Sequence, residues 1–147
     1  MNGFSKLLSH SNNHTRDCQW AFLGCVDYQK AWDFQHNMVK ARTAGSVGDT
    51  ILLLEHYPVY TLGRRSNREH LLLPEEDLRS GGAQIIDVDR GGEITFHGPG
   101  QLIGYPIIDL HGRGGPLRYV RDLETVLINA LGSLGVSTYR LPGLTGV

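Results

Sequence analysis

Residues 89–101 read DRGGEITFHGPGQ and run directly into the apolar stretch LIGYPIIDL. Gly91 and Gly92 carry no side chains, so backbone N–H groups at this point can approach a carbonyl or a phosphate closely. Arg90 adds a fixed positive fork, and His97 follows a short β-type run, a position where side chains often meet a ligand. Spacing alone therefore predicts either a glycine loop that contacts a ligand or a hairpin turn between two strands.

Capping residues and apolar spacing predict three helices around this stretch. Asp27 stands at an N-cap position before a helical stripe that ends at Gly45. Pro74, followed by acidic residues, predicts a short helix, and a longer one is predicted from Pro116 to Gly135. The two long stripes comprise Tyr28, Ala31, Trp32, Gln35, Met38, Val39 and Arg42, and Val120, Leu123, Leu127, Ala130, Leu131 and Leu134.

The remaining apolar runs predict strands. The run at 49–57 is continuously apolar and stops at Pro58, which is typical of a strand buried on both faces. Pro106 within 102–110 favours an edge position or a bulge, and the glycine- and arginine-rich segment 59–67 is predicted as a loop. The order of elements predicts a mixed α+β domain. Further strands are expected at 19–24, 84–89, 93–96 and 136–140.

The composition fits one globular domain and excludes several functions. Of 147 residues, 40% are hydrophobic and 20% charged, and the formal net charge is -1. Such a balance gives no basic field for a nucleic acid or an anionic membrane, and no apolar run is long enough to span a bilayer. Residues 1–18 are predicted to be a polar N-terminal extension rather than a signal peptide.

The cysteines and histidines indicate neither a metal site nor a disulfide framework. Cys18 and Cys25 form no CxxC motif, which favours a reduced, intracellular protein. His56, His70 and His111 lack the spacing of metal ligands. We therefore expect no metal and no bound cofactor.

The glycine stretch belongs to a longer pattern. It reads RGGxxTFHGPGQL at 90–102, and further blocks flank it: VDYQxAW at 26–32, EHxPVYTLGR at 55–64, GYP at 104–106 and PGLTGV at 142–147. This pattern resembles the octanoyltransferases of lipoate synthesis, the lipoyl(octanoyl) transferases, from about residue 24 to the last residue.

The resemblance implies a fold, a reaction and partners. The fold would be that of biotin and lipoate protein ligases, a class II aminoacyl-tRNA synthetase/biotin ligase-like α+β fold with a mixed sheet packed against helices. Residues 19–147 would form the N-terminal part of the catalytic domain. The reaction would move an octanoyl group from acyl carrier protein to a lysine of lipoyl domains, in 2-oxoacid dehydrogenases and the glycine cleavage H protein, in the cytoplasm. No cofactor would be needed, because a thioester is already activated.

The resemblance also assigns site residues. Arg64 and Arg65 could meet phosphopantetheine or the acidic carrier, unless they are simply a solvated pair. The family's acyl-binding stretch falls on Arg90, Gly91, Gly92, Glu93, Ile94, Thr95, Phe96 and His97. The alternative for Arg90 is a surface ion pair with Asp87 or Asp89.

The catalytic pair of the resembled family has no counterpart here. Its lysine would lie shortly beyond Val147 and its cysteine further on, so we expect no catalytic residue and no activity from this chain alone. We expect neither Cys18 nor Cys25 to be the nucleophile. The alternatives are a non-catalytic acyl-binding fragment and an ATP-dependent lipoate or biotin ligase, whose glycine-rich stretch is longer. A serine hydrolase is weakest, because the sequence lacks GxSxG.

Overall fold

The structure is a computed structural model that describes residues 17–147, so the predicted extension lies almost wholly outside it. Contacts divide the chain into two compact units, one ending at Ile108 and one beginning at Asp109. The first unit contains β1 (Cys18–Val26), α1 (Tyr28–Thr43), β2 (Asp49–His56), β3 (Val59–Leu62), α2 (Glu75–Ser80), β4 (Gln84–Asp87), β5 (Ile94–His97) and β6 (Ile103–Ile107). The second contains α3 (Gly115–Ser133).

The strands of the first unit form two mixed three-stranded sheets rather than one. In the order β1-β2-β6, β2 pairs parallel with β1 and antiparallel with β6. In the order β4-β3-β5, β3 pairs parallel with β4 and antiparallel with β5. The mixed α+β class is therefore confirmed, and β6 lies at an edge, as Pro106 predicts.

Helix α1 begins and ends where its capping residues predict. The Asp27 carboxylate accepts a hydrogen bond from the backbone N–H of Lys30 at 3.1 Å, and Gly45 follows the helix with φ +72°. Ala31 is buried, whereas Val39 is half exposed, so the predicted stripe is wrong at Val39. The helix places Tyr28 at the start of its first turn, next to the end of β1.

One prediction around the glycine stretch was wrong, and the structure decides between two alternatives for another. Residues 59–62 are not a loop but β3, the central strand of the second sheet. The residues VYTL favour a strand, and the glycine and arginines that indicated a loop come only after them. The strands on either side of Arg90, Gly91 and Gly92 do not form a hairpin, because β3 lies between them. The glycines therefore cross over β3 as a loop.

Strand β2 supplies much of the core, but on one face. Leu52, Leu54 and His56 are buried, while Ile51 and Leu53 on the opposite face are only partly covered. The prediction of burial on both faces was therefore wrong. The buried apolar side chains are Ala31, Leu52, Leu54, Val59, Leu62, Ile85, Val88 and Ile107.

The second unit is organised around a buried carboxylate. Glu124 on α3 is 2% exposed and accepts hydrogen bonds from Arg121 (2.7 Å), Arg140 (2.8 Å) and the backbone N–H of Gly146 (3.0 Å). These bonds hold residues 140–146 against α3 without a ladder, so the strand predicted at 136–140 is absent. The predicted stripe is also looser than expected, since Leu127 and Leu134 are exposed.

Candidate acyl-binding site

Strand β5 divides the predicted binding stretch between two faces of its sheet. Successive side chains of a strand point to opposite faces. Thr95 and His97 lie opposite Thr61 and Val59 of β3 on one face, and Ile94 and Phe96 lie on the other. The structure therefore brings the stretch together as one loop and one strand, with its side chains on two surfaces.

The loop formed by residues 90–93 is bound to the end of β3 through its backbone. The N–H groups of Gly63, Arg64 and Arg65 donate to carbonyl oxygens of Glu93 (3.3 Å), Arg90 (3.0 Å) and Gly92 (3.2 Å). A Cβ at Gly63 would lie 2.5 Å from the Gly92 oxygen, so only glycine fits there. Sequence reasoning placed Gly63 in the family motif but gave it no role. Gly63 directly follows a β-type run and precedes two arginines, and this position was the signal that could have indicated its role at the end of a strand.

Two backbone donors of the loop have no partner in the described residues. Three of its carbonyls accept hydrogen bonds from Gly63, Arg64 and Arg65, whereas within residues 17–147 the N–H groups of Gly91 and Gly92 make no hydrogen bond. Gly92 adopts φ +94°, a conformation that favours glycine, whereas a Cβ at Gly91 would meet nothing within 4 Å. Two adjacent backbone donors of this kind can bind a carbonyl oxygen or an oxyanion.

Arg90 anchors the loop. Its Nη2 donates to both the carbonyl oxygen and the hydroxyl of Thr61 at 2.8 Å, and Nη1 donates to the Gly91 carbonyl at 3.0 Å. Thr61 is fully buried. Asp87 pairs with Arg68 at 2.7 Å, so it is not the partner considered for Arg90. The guanidinium therefore fixes the loop on β3 through acceptors of the protein itself.

A fully buried histidine lies beneath the Thr95–His97 face. His56 Nδ1 is 2.8 Å from the carbonyl oxygen of Val26, which only accepts, so Nδ1 carries the proton. Nε2 then accepts a hydrogen bond from the Tyr105 hydroxyl at 2.8 Å. Burial lowers the pKa of His56 and raises the pKa of Tyr105 to about 12. Both groups are therefore neutral at physiological pH, and the pair ties β1, β2 and β6 together.

Tyr28 connects this buried pair to His97. Its ring centroid lies 5.0 Å from that of His56 and 6.4 Å from that of His97, and the Tyr28 and His97 planes are within 12° of parallel. His97 Nδ1 is 2.7 Å from Oε1 of Gln101. The His97 ring is thereby held by one stacking contact and one hydrogen bond. Sequence reasoning included His97 but missed Tyr28, His56 and Tyr105 as its surroundings.

The other face of the sheet carries an apolar groove. The Tyr60 and Phe96 rings lie 4.9 Å apart on this face. Leu71, Leu72, Leu73 and Leu78 complete a groove of about 610 Å³, and its rim includes His70 and Glu93, 3.5 Å apart. Ile94 and Phe96 therefore belong to a different surface from Thr95 and His97.

Other chemistry is sparse in residues 17–147. Cys18 and Cys25 are exposed on β1, and Arg64 and Arg65 are exposed beside the loop. No cluster of His, Cys, Asp or Glu in this range could hold a metal ion. None of the helices in the described part combines the length and apolarity needed to cross a membrane.

Comparison with known proteins identifies the family. Residues 27–147 match the model of the lipoyl protein ligase A/B catalytic domain, and the chain belongs to this family. Its relatives include the octanoyltransferases of Roseiflexus sp. (strain RS-1), 50% identical over 126 residues, and of Rubrobacter xylanophilus, 51% identical over 125 residues. These alignments cover 85% and 84% of this chain but only 52% and 56% of the relatives. The chain therefore spans about half their length.

The solved structures agree on the fold. Protein Ta0514 from T. acidophilum, described as a "putative lipoate protein ligase", superposes with TM-scores of 0.53 with bound lipoic acid and 0.55 without it. Sequence identity is 13% in both comparisons, which cover 82% and 86% of this chain and 49% and 53% of the other. The predicted lipoate ligase-like fold is thus confirmed.

Proposed function

We propose that this chain binds the octanoyl thioester in an octanoyltransferase that carries an octanoyl group from acyl carrier protein to a lysine of lipoyl domains. The single observation that carries the proposal is the backbone of residues 90–93. The loop is bound to the end of β3 through its carbonyls, and the N–H groups of Gly91 and Gly92 have no hydrogen-bond partner within residues 17–147. A thioester carbonyl develops negative charge on its oxygen during acyl transfer, and adjacent N–H donors stabilise that charge.

The relatives support this choice of acyl group and reaction. Two octanoyltransferases are at least 50% identical to the chain over more than four-fifths of its length. The acceptors would be lipoyl domains of 2-oxoacid dehydrogenases and the glycine cleavage H protein. The reaction would take place in the cytoplasm and would lead to protein lipoylation. The exposed Arg64 and Arg65 beside the loop provide positive charge for an acidic carrier or its phosphate. An ATP-dependent ligase would instead need free octanoate and ATP.

The test is a titration of the chain with S-octanoyl-pantetheine. Binding is monitored through the backbone amide signals in NMR spectra. We expect the amides of Gly91 and Gly92 to shift. Gly92→Val should abolish the response, because valine disfavours φ +94°. Gly48→Ala is the control, since Gly48 lies outside the loop and its Cβ would meet nothing within 4 Å. Normal binding by a folded Gly92→Val variant, or binding that requires ATP, would refute the proposal.

A further inference from the structure

The hydrogen bond between His97 and Gln101 determines which nitrogen of the histidine ring carries the proton. The amide oxygen Oε1 of Gln101 is an acceptor only, so the Nδ1 atom 2.7 Å away must donate. A neutral imidazole has one N–H, and Nε2 is therefore left with its lone pair. Within residues 17–147 no hydrogen bond reaches this Nε2.

The ring plane is fixed as well as the tautomer. Tyr28 stacks nearly parallel to His97, and the His56 ring stands edge-on with its centroid 6.0 Å from that of His97. Tyr28 follows the N-cap Asp27 at the start of α1, and the buried His56 is bonded at both nitrogens. His97 thus packs against two rings that also contact each other, their centroids 5.0 Å apart.

From this geometry we propose that Gln101 is a positioning residue for His97, and that His97 Nε2 accepts a hydrogen bond from an N–H group of the substrate. The inference rests on the proposed function for the identity of that substrate. Two substrates of an octanoyl transfer carry N–H donors: the amides of the pantetheine arm and the amine of the acceptor lysine. Both offer the same chemistry to Nε2.

The placement of the two kinds of polar group supports this role. Gly91 and Gly92 precede β5 and offer donors, whereas His97 ends β5 and offers an acceptor. A thioester carbonyl can only accept, and an amide or amine N–H can donate. The donors and the acceptor therefore lie at opposite ends of β5.

The first experiment measures the tautomer in the chain by itself. Long-range ¹H–¹⁵N NMR correlations distinguish a protonated Nδ1 from a protonated Nε2, and we expect His97 to be protonated at Nδ1 at pH 7.5. Gln101→Leu should move the proton toward Nε2. Gln19→Leu is the control, because Gln19 is an exposed residue of β1. Protonation at Nε2 in the unmodified chain would overturn the assignment of Gln101, whatever the protein's function.

The second experiment identifies the donor. S-octanoyl-pantetheine and a lysine-bearing lipoyl-domain peptide are titrated separately, and we expect one of them to shift the ¹⁵N signal of His97 Nε2. Gln101→Leu and His97→Phe should each weaken binding of that probe about fivefold, the effect of one neutral hydrogen bond. His97→Phe keeps a ring to stack on Tyr28, and melting temperatures check that both variants fold.

The outcomes separate this inference from the proposed function. If S-octanoyl-pantetheine shifts the amides of Gly91 and Gly92 but neither probe moves His97 Nε2, the acceptor role is wrong and the proposed function stands. If no probe perturbs either set of signals, the proposed function and the acceptor role both fail. The tautomer measurement still decides whether Gln101 positions the ring.

Discussion

At the scale of single residues, a glycine outside the predicted binding stretch fixes its loop. Gly63 lies so close to the Gly92 carbonyl that a methyl group would displace it, while three backbone bonds hold the loop at the same point. The position of the Gly91 and Gly92 donors therefore depends on Gly63. A residue with no chemistry of its own determines the geometry of the site.

We expect Gly63→Ala to lower the free energy of unfolding by about 1–3 kcal/mol, as overpacking of a close contact does, and to weaken binding of S-octanoyl-pantetheine. Urea denaturation and NMR titration measure the two effects. Gly48→Ala is the control, because its Cβ would have no neighbour within 4 Å. A Gly63→Ala variant as stable as the control would contradict the prediction, because it would show that the loop can move away from the added methyl group at no cost in stability.

The buried His56 predicts a stability that depends on pH. Burial lowers its pKa in the folded chain below the value of about 6.5 in an unfolded one. Between these two values the unfolded chain binds more protons, so stability is fully present above about pH 6.5 and is lost as the pH falls below it. Denaturation between pH 5 and 8 should show this slope, and His56→Asn should reduce it. His70→Gln, at an exposed position, should retain it.

The cysteines give a prediction about chemistry. Cys18 and Cys25 both lie on β1, a strand of the sheet that does not adjoin the 90–93 loop. We therefore expect incubation with octanoyl-acyl carrier protein to leave both Cys18 and Cys25 unacylated in mass spectra. Serine at both positions should leave binding of S-octanoyl-pantetheine unchanged. A thioester on either cysteine would refute the expectation.

At the scale of elements, the sequence predicts what local chemistry determines. Asp27 caps α1, the acidic residues after Pro74 begin α2, and Pro116 lies in the first turn of α3, because caps and prolines act within a few residues. Strand β3 was missed, since four residues followed by a glycine and two arginines have too little periodicity to be recognised.

The arrangement of strands and of the site could not be read in the same way. Insertion of β3 between β4 and β5 is a pairing of residues far apart in the chain, and no local pattern encodes it. His97 and the RGG motif were recognisable as a sequence motif. The Tyr28 and His56 rings around His97 come from α1 and β2, so only the folded chain brings them together.

The segment after α3 gives a prediction at the same scale. Arg121, Gly146 and Arg140 hold the pKa of Glu124 at about 2, well below its usual range. We expect Glu124→Gln to release residues 140–146, seen as faster amide hydrogen exchange there, because a neutral amide cannot replace a charge shared by two arginines. In the unmodified chain the same release should occur as the pH falls from about 4.5 toward 2. Arg118→Gln, on an exposed side chain of the same helix, should leave exchange unchanged.

At the scale of the whole molecule, one sheet face is left largely uncovered. Trp20 is 70% exposed and Phe22 57%, and they lie beside the partly covered Ile51 and Leu53 on the edge strand and its neighbour. Exposed apolar faces and unpaired strand edges favour self-association.

We expect the chain to associate with itself at micromolar concentrations, as measured by sedimentation velocity. Replacing Trp20 and Phe22 together by lysine should shift the distribution toward monomer, because charges on an edge strand oppose pairing. Leu72→Lys is the control, since Leu72 is apolar and even more exposed, at 97%, but lies on the groove face. A monodisperse monomer with a cooperative melt would contradict the prediction.

The contrast between Gly91 and Gly92 has a consequence for how the family can diverge. Steric conflict with the fold forbids change at Gly63 and strongly limits it at Gly92, but nothing in the fold restricts Gly91. If relatives accept alanine or serine at position 91, only the fold restricts which residues this loop can contain. If glycine is nonetheless invariant there, the constraint must come from a molecule that binds against it. The absence of substitutions at position 91 would then be evidence for a ligand at this loop.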